Sequence, residues 1–103
     1  MRAPISDRAL SRLVGEALQA RLVARDQFTA YDITMALRMR LLHLEIAHER
    51  VRTLVHGFMR AVMAAGHYQT TSTRFWGKRA RLYEPAASSM QPGIPGILPL
   101  QLN

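Results

Sequence analysis

The chain has 103 residues and a net charge of +7, with 14 basic residues against 7 acidic ones and no cysteine. This length fits one compact domain, and the lack of cysteine excludes a disulfide framework, a cysteine-based zinc site and a cysteine nucleophile. No apolar run reaches the roughly 20 residues that cross a bilayer, and the N-terminus lacks the apolar stretch of a secretory signal. We therefore expect a cytoplasmic protein with no membrane partner, whose positive charge favours a polyanion.

The first predicted helix covers about residues 6–25. Leu10, Val14 and Leu18 belong to an apolar stripe at helical spacing, and Ser6 occupies the position of an N-cap. We expect this helix to pack against the rest of the domain or to join two copies of the chain.

The second predicted helix covers about residues 30–41. It begins after Thr29, which together with Asp32 has the spacing of a shortened capping box. No glycine or proline occurs between Thr29 and His56, so one continuous helix up to residue 65 is the alternative. Leu42 and Ile46 favour two helices, because both would lie on the polar face of a continuous helix, whereas a turn within residues 40–47 turns both inward.

The third predicted helix covers about residues 47–65 and ends before Gly66, at a position where glycine commonly terminates helices. Its expected buried stripe consists of Val51, Leu54, Val55, Phe58 and Val62, with Met59 at the margin. The opposite face carries Glu49, Thr53, His56 and Arg60, with Arg52 at its edge.

A β-hairpin is predicted over residues 67–84, where the period of the sequence changes to two. We expect Thr73 to face Arg79 and Thr71 to face Arg81, with residues 74–78 as the connecting loop. Four cations and no acid lie between residues 70 and 83; these hairpin cations are Arg74, Lys78, Arg79 and Arg81. The two aromatic residues of the loop, at positions 75 and 76, either fold back, pack on a partner or contact nucleic acid.

The last segment, residues 86–103, is rich in proline and apolar residues and carries no charge. We expect an irregular tail that folds back over the domain of residues 1–85 or covers a second copy of the chain. A homodimer held by the first helix, by this tail or by both is therefore predicted.

This order of elements resembles a winged helix-turn-helix domain. The opening helix of such a unit is similar to FTAYDITMALR, its recognition helix to HERVRTLVHGFMRA, and its wing to HYQTTSTRFWGKRARLYEP. The sequence departs from the usual pattern between the two helices, where it reads RLLHLEIA instead of containing a glycine or polar turn. The resemblance implies a mostly helical α+β fold: three helices, a β-hairpin wing and the irregular tail.

The resemblance also implies sequence-specific binding of double-stranded DNA, as in a small transcriptional regulator. The third helix would enter the major groove and the wing would contact the backbone or the minor groove. The candidate contact residues are Glu49, Arg50, Arg52, Thr53, His56, Arg60, Arg74, Lys78, Arg79 and Arg81. The alternative is a winged-helix module for protein–protein assembly that does not read DNA.

Signals of catalytic chemistry are missing from the sequence. The four histidines, His43, His48, His56 and His67, have no cysteine or acidic partners at the spacing of a metal site. There is no glycine-rich phosphate loop and no nucleophile elbow. We therefore expect no enzyme activity, metal, cofactor or small-molecule ligand.

Overall fold

The computed structural model describes residues 2–86, which form three helices and a three-stranded antiparallel sheet. The elements are α1 (Asp7–Ala24), β1 (Phe28–Thr29), α2 (Ala30–Arg40), α3 (His48–Ala64), β2 (Tyr68–Phe75) and β3 (Lys78–Pro85). The predicted fold class, three helices followed by a β-hairpin, is confirmed, and the order of elements is winged-helix-like. Residues 87–103 of the predicted tail lie outside the described residues. None of the helices within residues 2–86 combines the length and the hydrophobicity of a membrane-spanning segment.

Hydrogen bonds confirm the predicted starts of α1 and α2, and backbone geometry confirms the predicted end of α3. The Ser6 hydroxyl accepts a bond from the Ala9 N–H at 3.2 Å. At the start of α2, the Thr29 hydroxyl accepts from the Asp32 N–H, and the Asp32 carboxylate accepts from the Thr29 N–H at 2.7 Å. After α3, Gly66 has a φ of +82°, a conformation that glycine adopts without steric cost.

The chain forms two helices rather than one between residues 30 and 64, as predicted, but the loop between them buries only one of the two residues, Leu42 and Ile46, that were expected to turn inward. Ile46 is 3% exposed and joins the core, whereas Leu42 is 67% exposed. The expectation that both would be buried is therefore wrong for Leu42. The pairing of Ala3 with Leu44, which lies between the two residues, shapes this loop instead of local hydrophobicity.

The N-terminal segment is hydrogen-bonded to the loop between α2 and α3, which lacks the glycine usual at this turn. Ala3 forms a bridge to Leu44: its N–H donates to the His43 carbonyl at 2.9 Å, and its carbonyl accepts from the Glu45 N–H at 2.7 Å. The Arg2 guanidinium donates to the Leu42 carbonyl at 3.0 Å. These bonds satisfy polar backbone groups of the loop that would otherwise depend on water, and nothing in the local sequence predicts them.

The core lies where the three helices meet the base of the sheet. α3 contributes Val51, Val55 and Met59, spaced four residues apart and each almost fully buried. Phe58, predicted to be part of the buried stripe, is 43% exposed, and its ring lies at the edge of α1 over Gly15. Met59, predicted at the margin, is therefore the buried residue of this turn, and Phe58 lies at the edge of the stripe beside α1.

The hairpin has a shorter loop and a different register from those predicted. Only Trp76 and Gly77 connect the strands, both with positive φ (56° and 80°), as in a type I′ turn, whose twist matches that of the strands. Thr73 consequently faces Ala80 instead of Arg79. The observed register puts Tyr83 opposite Thr70 on the same face as Tyr68, and both tyrosines are buried.

A short strand that the sequence analysis did not predict attaches the hairpin to the helices. Phe28 and Thr29 of β1 pair with Tyr83 and Leu82 of β3, so that β3 is the central strand. The Phe28 ring stacks on Tyr83, with ring centroids 5.4 Å apart, and also contacts Tyr68 at 6.1 Å. Because β1 runs directly into α2, this pairing sets the position of the hairpin beside the helices.

Candidate nucleic-acid interface

A groove of about 560 Å³ lies between the first half of α3 and the hairpin. Its lining residues are Ala30, Tyr31, His48, Glu49, Arg52, His56, Thr70, Thr71, Ser72, Arg79, Ala80 and Arg81. Half of the ten predicted contact residues are among them. They come from segments some 30 residues apart in sequence, which the pairing of β1 with β3 brings together.

Within the groove, Arg52 is paired with Glu49 one turn earlier on α3. The guanidinium donates to the Glu49 carboxylate at 2.5 Å, and this hydrogen bond lowers the pKa of Glu49. Both side chains are largely exposed, and exposed ion pairs contribute little to stability. A phosphate or a base edge can therefore replace Glu49 as the partner of Arg52 at small cost.

The other predicted contacts on α3 lie away from the groove. Arg50 is half-buried and donates to the Ile5 carbonyl at 3.1 Å and to the Asp7 carboxylate at 2.5 Å, so it joins α3 to the start of α1. The Thr53 hydroxyl donates to the Glu49 carbonyl at 3.0 Å. Arg60 is exposed, one turn beyond His56. Of the predicted contact residues on α3, Arg52 and His56 therefore face the hairpin and are best placed to donate hydrogen bonds to a ligand in the groove.

The hairpin cations are all exposed, and none of them forms an ion pair with an acidic residue in the part of the chain that the structure describes. Arg74 also lies directly opposite Arg79 in the ladder, and its guanidinium donates to the Gly77 carbonyl at 3.1 Å. Like charges at facing positions destabilise a hairpin. A polyanion bound along this surface would remove that repulsion.

Four aromatic rings extend from the start of α3 to the hairpin loop, in the order His48, Tyr31, Phe75 and Trp76; we call them the aromatic row. Successive ring centroids are 4.0, 4.9 and 6.1 Å apart, and the planes are parallel within 10°. Of the three alternatives left open for the two loop aromatics, Phe75 folds back onto Tyr31, while Trp76 remains 85% exposed. Sequence reasoning missed Tyr31 because its partner is 44 positions away, and no local signal links them.

Two histidines in the groove have lowered pKa values. Burial is the main cause for both. For His48 the Arg52 and Arg38 guanidinium groups lower the pKa further and Glu49 raises it, while for His56 the neighbouring cations are Arg81 and Arg52. One His48 ring nitrogen is also 2.9 Å from the Thr34 hydroxyl. Both rings therefore take up a proton less readily in the folded protein than in the unfolded chain.

These pKa shifts predict that the protein is less stable in mild acid. Since the unfolded chain takes up protons on both histidines below about pH 6.5 and the folded chain resists them, the free energy of unfolding falls as the pH drops from 7.5 towards the folded-state pKa values. Urea unfolding followed by circular dichroism at pH 7.5 and pH 5 measures this loss. The double variant His48→Gln/His56→Gln is expected to lose less stability between these two pH values than the wild-type protein; an equal loss would contradict the assignment.

Among residues 2–86, no group of three or more histidine, aspartate or glutamate side chains is arranged to hold a metal ion. Comparison of the chain with known protein families, curated proteins and solved structures yields no match. The function is therefore inferred from the groove, the hairpin and their charges.

Proposed function

We propose that this protein binds double-stranded DNA sequence-specifically and acts as a small transcriptional regulator. The observation that carries this proposal is the groove itself, which has an outward polar helix face on one wall and unpaired cations on the other. An α-helix fits the major groove of B-DNA, and arginine forks match both guanine and phosphate. No acid among the described residues neutralises the hairpin cations, so they are available to phosphates.

In the proposed complex, the first half of α3 lies in the major groove and the sugar–phosphate backbone of one strand passes between α3 and the hairpin. Arg52 and Arg81 would then approach this backbone or the adjacent base edges from opposite walls of the groove. The strand ends beside the hairpin loop, with Arg74 on β2 and Lys78 on β3, would reach the backbone or the minor groove beyond.

A mobility-shift titration of random duplex DNA at several salt concentrations tests the proposal. If about four to eight phosphates are neutralised, the plot of log affinity against log salt has a slope of roughly −4 to −7. Absence of binding even at low salt would contradict duplex binding.

Base readout is expected to depend on Arg52. Replacing Arg52 by alanine should weaken binding to the preferred sequence by about 5- to 150-fold, which corresponds to the loss of one good base contact, with a smaller effect on random DNA. Selection of sites from random DNA, followed by affinity measurements on the selected and random duplexes, gives both values. Arg60→Ala is the matched control, because Arg60 lies on α3 outside the groove and its loss should change the affinities for the selected and random duplexes alike. An Arg52→Ala variant with unchanged preference and affinity would show that α3 does not read the bases.

The second candidate function is protein–protein assembly without DNA readout. Its support is a set of exposed apolar side chains, since Met39 of α2 and Leu42 of the following loop are 73% and 67% exposed and Met35 lies one turn before Met39. Large exposed apolar groups at neighbouring positions mark interaction surfaces. Neutralising the hairpin cations distinguishes the two candidates, because it abolishes DNA binding but leaves an apolar assembly intact.

We further propose that the protein is a homodimer, since two copies double the contacts on a palindromic site. Light scattering of the full chain at micromolar concentration is expected to give twice the monomer mass of 11.6 kDa. A chain ending at Pro85 becomes monomeric if the C-terminal tail holds the dimer, and stays dimeric if α1 or another part of the domain holds it. A monomeric full chain would contradict the proposal.

A further inference from the structure

Trp76, in the hairpin loop, is unusual both in its exposure to solvent and in its backbone conformation. It is the only tryptophan of the chain, and 85% of it is exposed although it is the largest apolar side chain present. Its φ is +56°, in the left-handed region, where a type I′ turn favours asparagine or glycine over a bulky residue. A residue that costs the turn stability and buries almost nothing points to a role outside folding.

The aromatic row holds Trp76 in a defined orientation. The indole is parallel to the Phe75 ring within 1°, and Phe75 in turn stacks on Tyr31 at 4.9 Å. Tyr31 lies against His48 of α3, so the loop is connected by rings to the helix on the other side of the groove. An aromatic side chain that is already oriented loses less conformational freedom when it binds a flat ligand.

The charge around Trp76 indicates which class of ligand its ring is suited to bind. Arg74 and Lys78 flank the turn, Arg79 lies opposite Arg74, and no acid occurs between residues 70 and 83. An exposed aromatic ring among cations is the arrangement that binds unpaired nucleotides, in which the base stacks on the ring and the phosphate pairs with the cation.

We propose that Trp76 stacks on an unpaired nucleobase, so that the protein prefers duplex DNA carrying an overhanging or looped-out base beside its binding site. Inside a continuous duplex each base is already stacked, and opening a step costs a few kcal/mol. An unpaired base offers the same aromatic face without that cost. This inference rests on the proposed duplex binding and adds to it the kind of DNA structure that is preferred.

Three DNAs with the same duplex test the preference: one with blunt ends, one with a short adenine overhang, and one with an overhang of abasic sugar–phosphates of equal length. The abasic overhang has the charge of the adenine overhang but no base to stack. We expect the adenine overhang to bind about 5- to 150-fold more tightly than the abasic one, the range for stacking of one base. Since Trp76 is the only tryptophan, its fluorescence reports on this contact directly, and only the adenine overhang should quench it strongly.

Two variants separate stacking from folding. Trp76→Asn gives the turn a residue that it favours, so the melting temperature should be unchanged or higher, while the difference between adenine and abasic overhangs disappears and blunt-duplex affinity is retained. Trp76→Phe keeps an aromatic face and should retain part of the preference. Lys78→Gln is the matched control, because the adenine and abasic overhangs carry the same phosphates, so that loss of this cation should weaken both alike and leave the difference between them unchanged.

The outcomes distinguish this inference from the proposed function. Equal affinity for adenine and abasic overhangs, or an unchanged preference in Trp76→Asn, would overturn the role of Trp76 while blunt-duplex binding still supports the proposed function. Binding of the adenine overhang with no measurable affinity for blunt duplex would support the stacking role and overturn duplex recognition. Failure to bind any of the three DNAs at low salt would overturn both.

Discussion

Replacing Arg74, Lys78 and Arg79 together by glutamine is expected to weaken binding to any duplex by about 500-fold in 0.1 M salt. Each phosphate contact contributes roughly eightfold at this salt concentration through the release of counterions, and the slope of log affinity against log salt should fall in magnitude by about 2.7 for the three contacts. All three side chains are exposed and have no acidic partner among the described residues. Fluorescence anisotropy of a labelled random duplex, measured between 50 and 300 mM salt, gives both quantities.

A matched variant controls for the loss of charge itself. Replacing Arg8, Arg12 and Arg40, which are exposed on α1 and at the end of α2, by glutamine lowers the net charge of +7 by the same three units. This control is expected to weaken binding much less, because a charge more than a Debye length from the DNA is largely screened. Equal losses in the two triple variants would show that the hairpin is not the contact surface and that binding follows net charge alone.

The second large effect concerns the junction between the hairpin and the helices. Phe28→Ala is expected to lower the free energy of unfolding by about 3–5 kcal/mol, the usual cost of removing a fully buried phenylalanine ring. Phe28 has no exposed surface and contacts both Tyr68 and Tyr83. Domains of this size are stable by only about 5–15 kcal/mol, so the variant would be partly unfolded at moderate temperature. Urea unfolding followed by circular dichroism measures the change.

Tyr83→Phe is the control for Phe28→Ala, since it keeps the ring that stacks on Phe28 and removes only the Tyr83 hydroxyl. That hydroxyl is buried and makes no hydrogen bond of good geometry; burial raises its pKa, with the Arg81 guanidinium acting in the opposite direction. A buried hydroxyl without a partner costs about 1–3 kcal/mol, so this variant should be at least as stable as the wild-type protein. If Phe28→Ala lowered the free energy of unfolding by less than about 1 kcal/mol, the role assigned to the contacts of Phe28 with Tyr68 and Tyr83 would be wrong.

Local sequence determined the three helices of this protein, the start of α2 and the presence of a hairpin after α3. The apolar spacing of Leu10, Val14 and Leu18 predicts the buried face of α1, and the capping box at Thr29 predicts the start of α2 to the residue. The change of period after Gly66 predicts the hairpin. These features depend on side chains and backbone groups within about four positions of one another, so the sequence contains all the information needed for them.

Tertiary structure alone decided the features that make the candidate site. The register of the hairpin depends on which face must bury Tyr83, and a slip of one position reverses every side chain. The pairing of Phe28 with Tyr83 joins positions 55 residues apart, and the contact of Tyr31 with Phe75 joins positions 44 apart. Leu42 was expected inside and is outside, because the bridge at Ala3 and not local hydrophobicity shapes its loop. Such contacts form only when long stretches of chain close into loops, and no local sequence pattern specifies which two residues then meet.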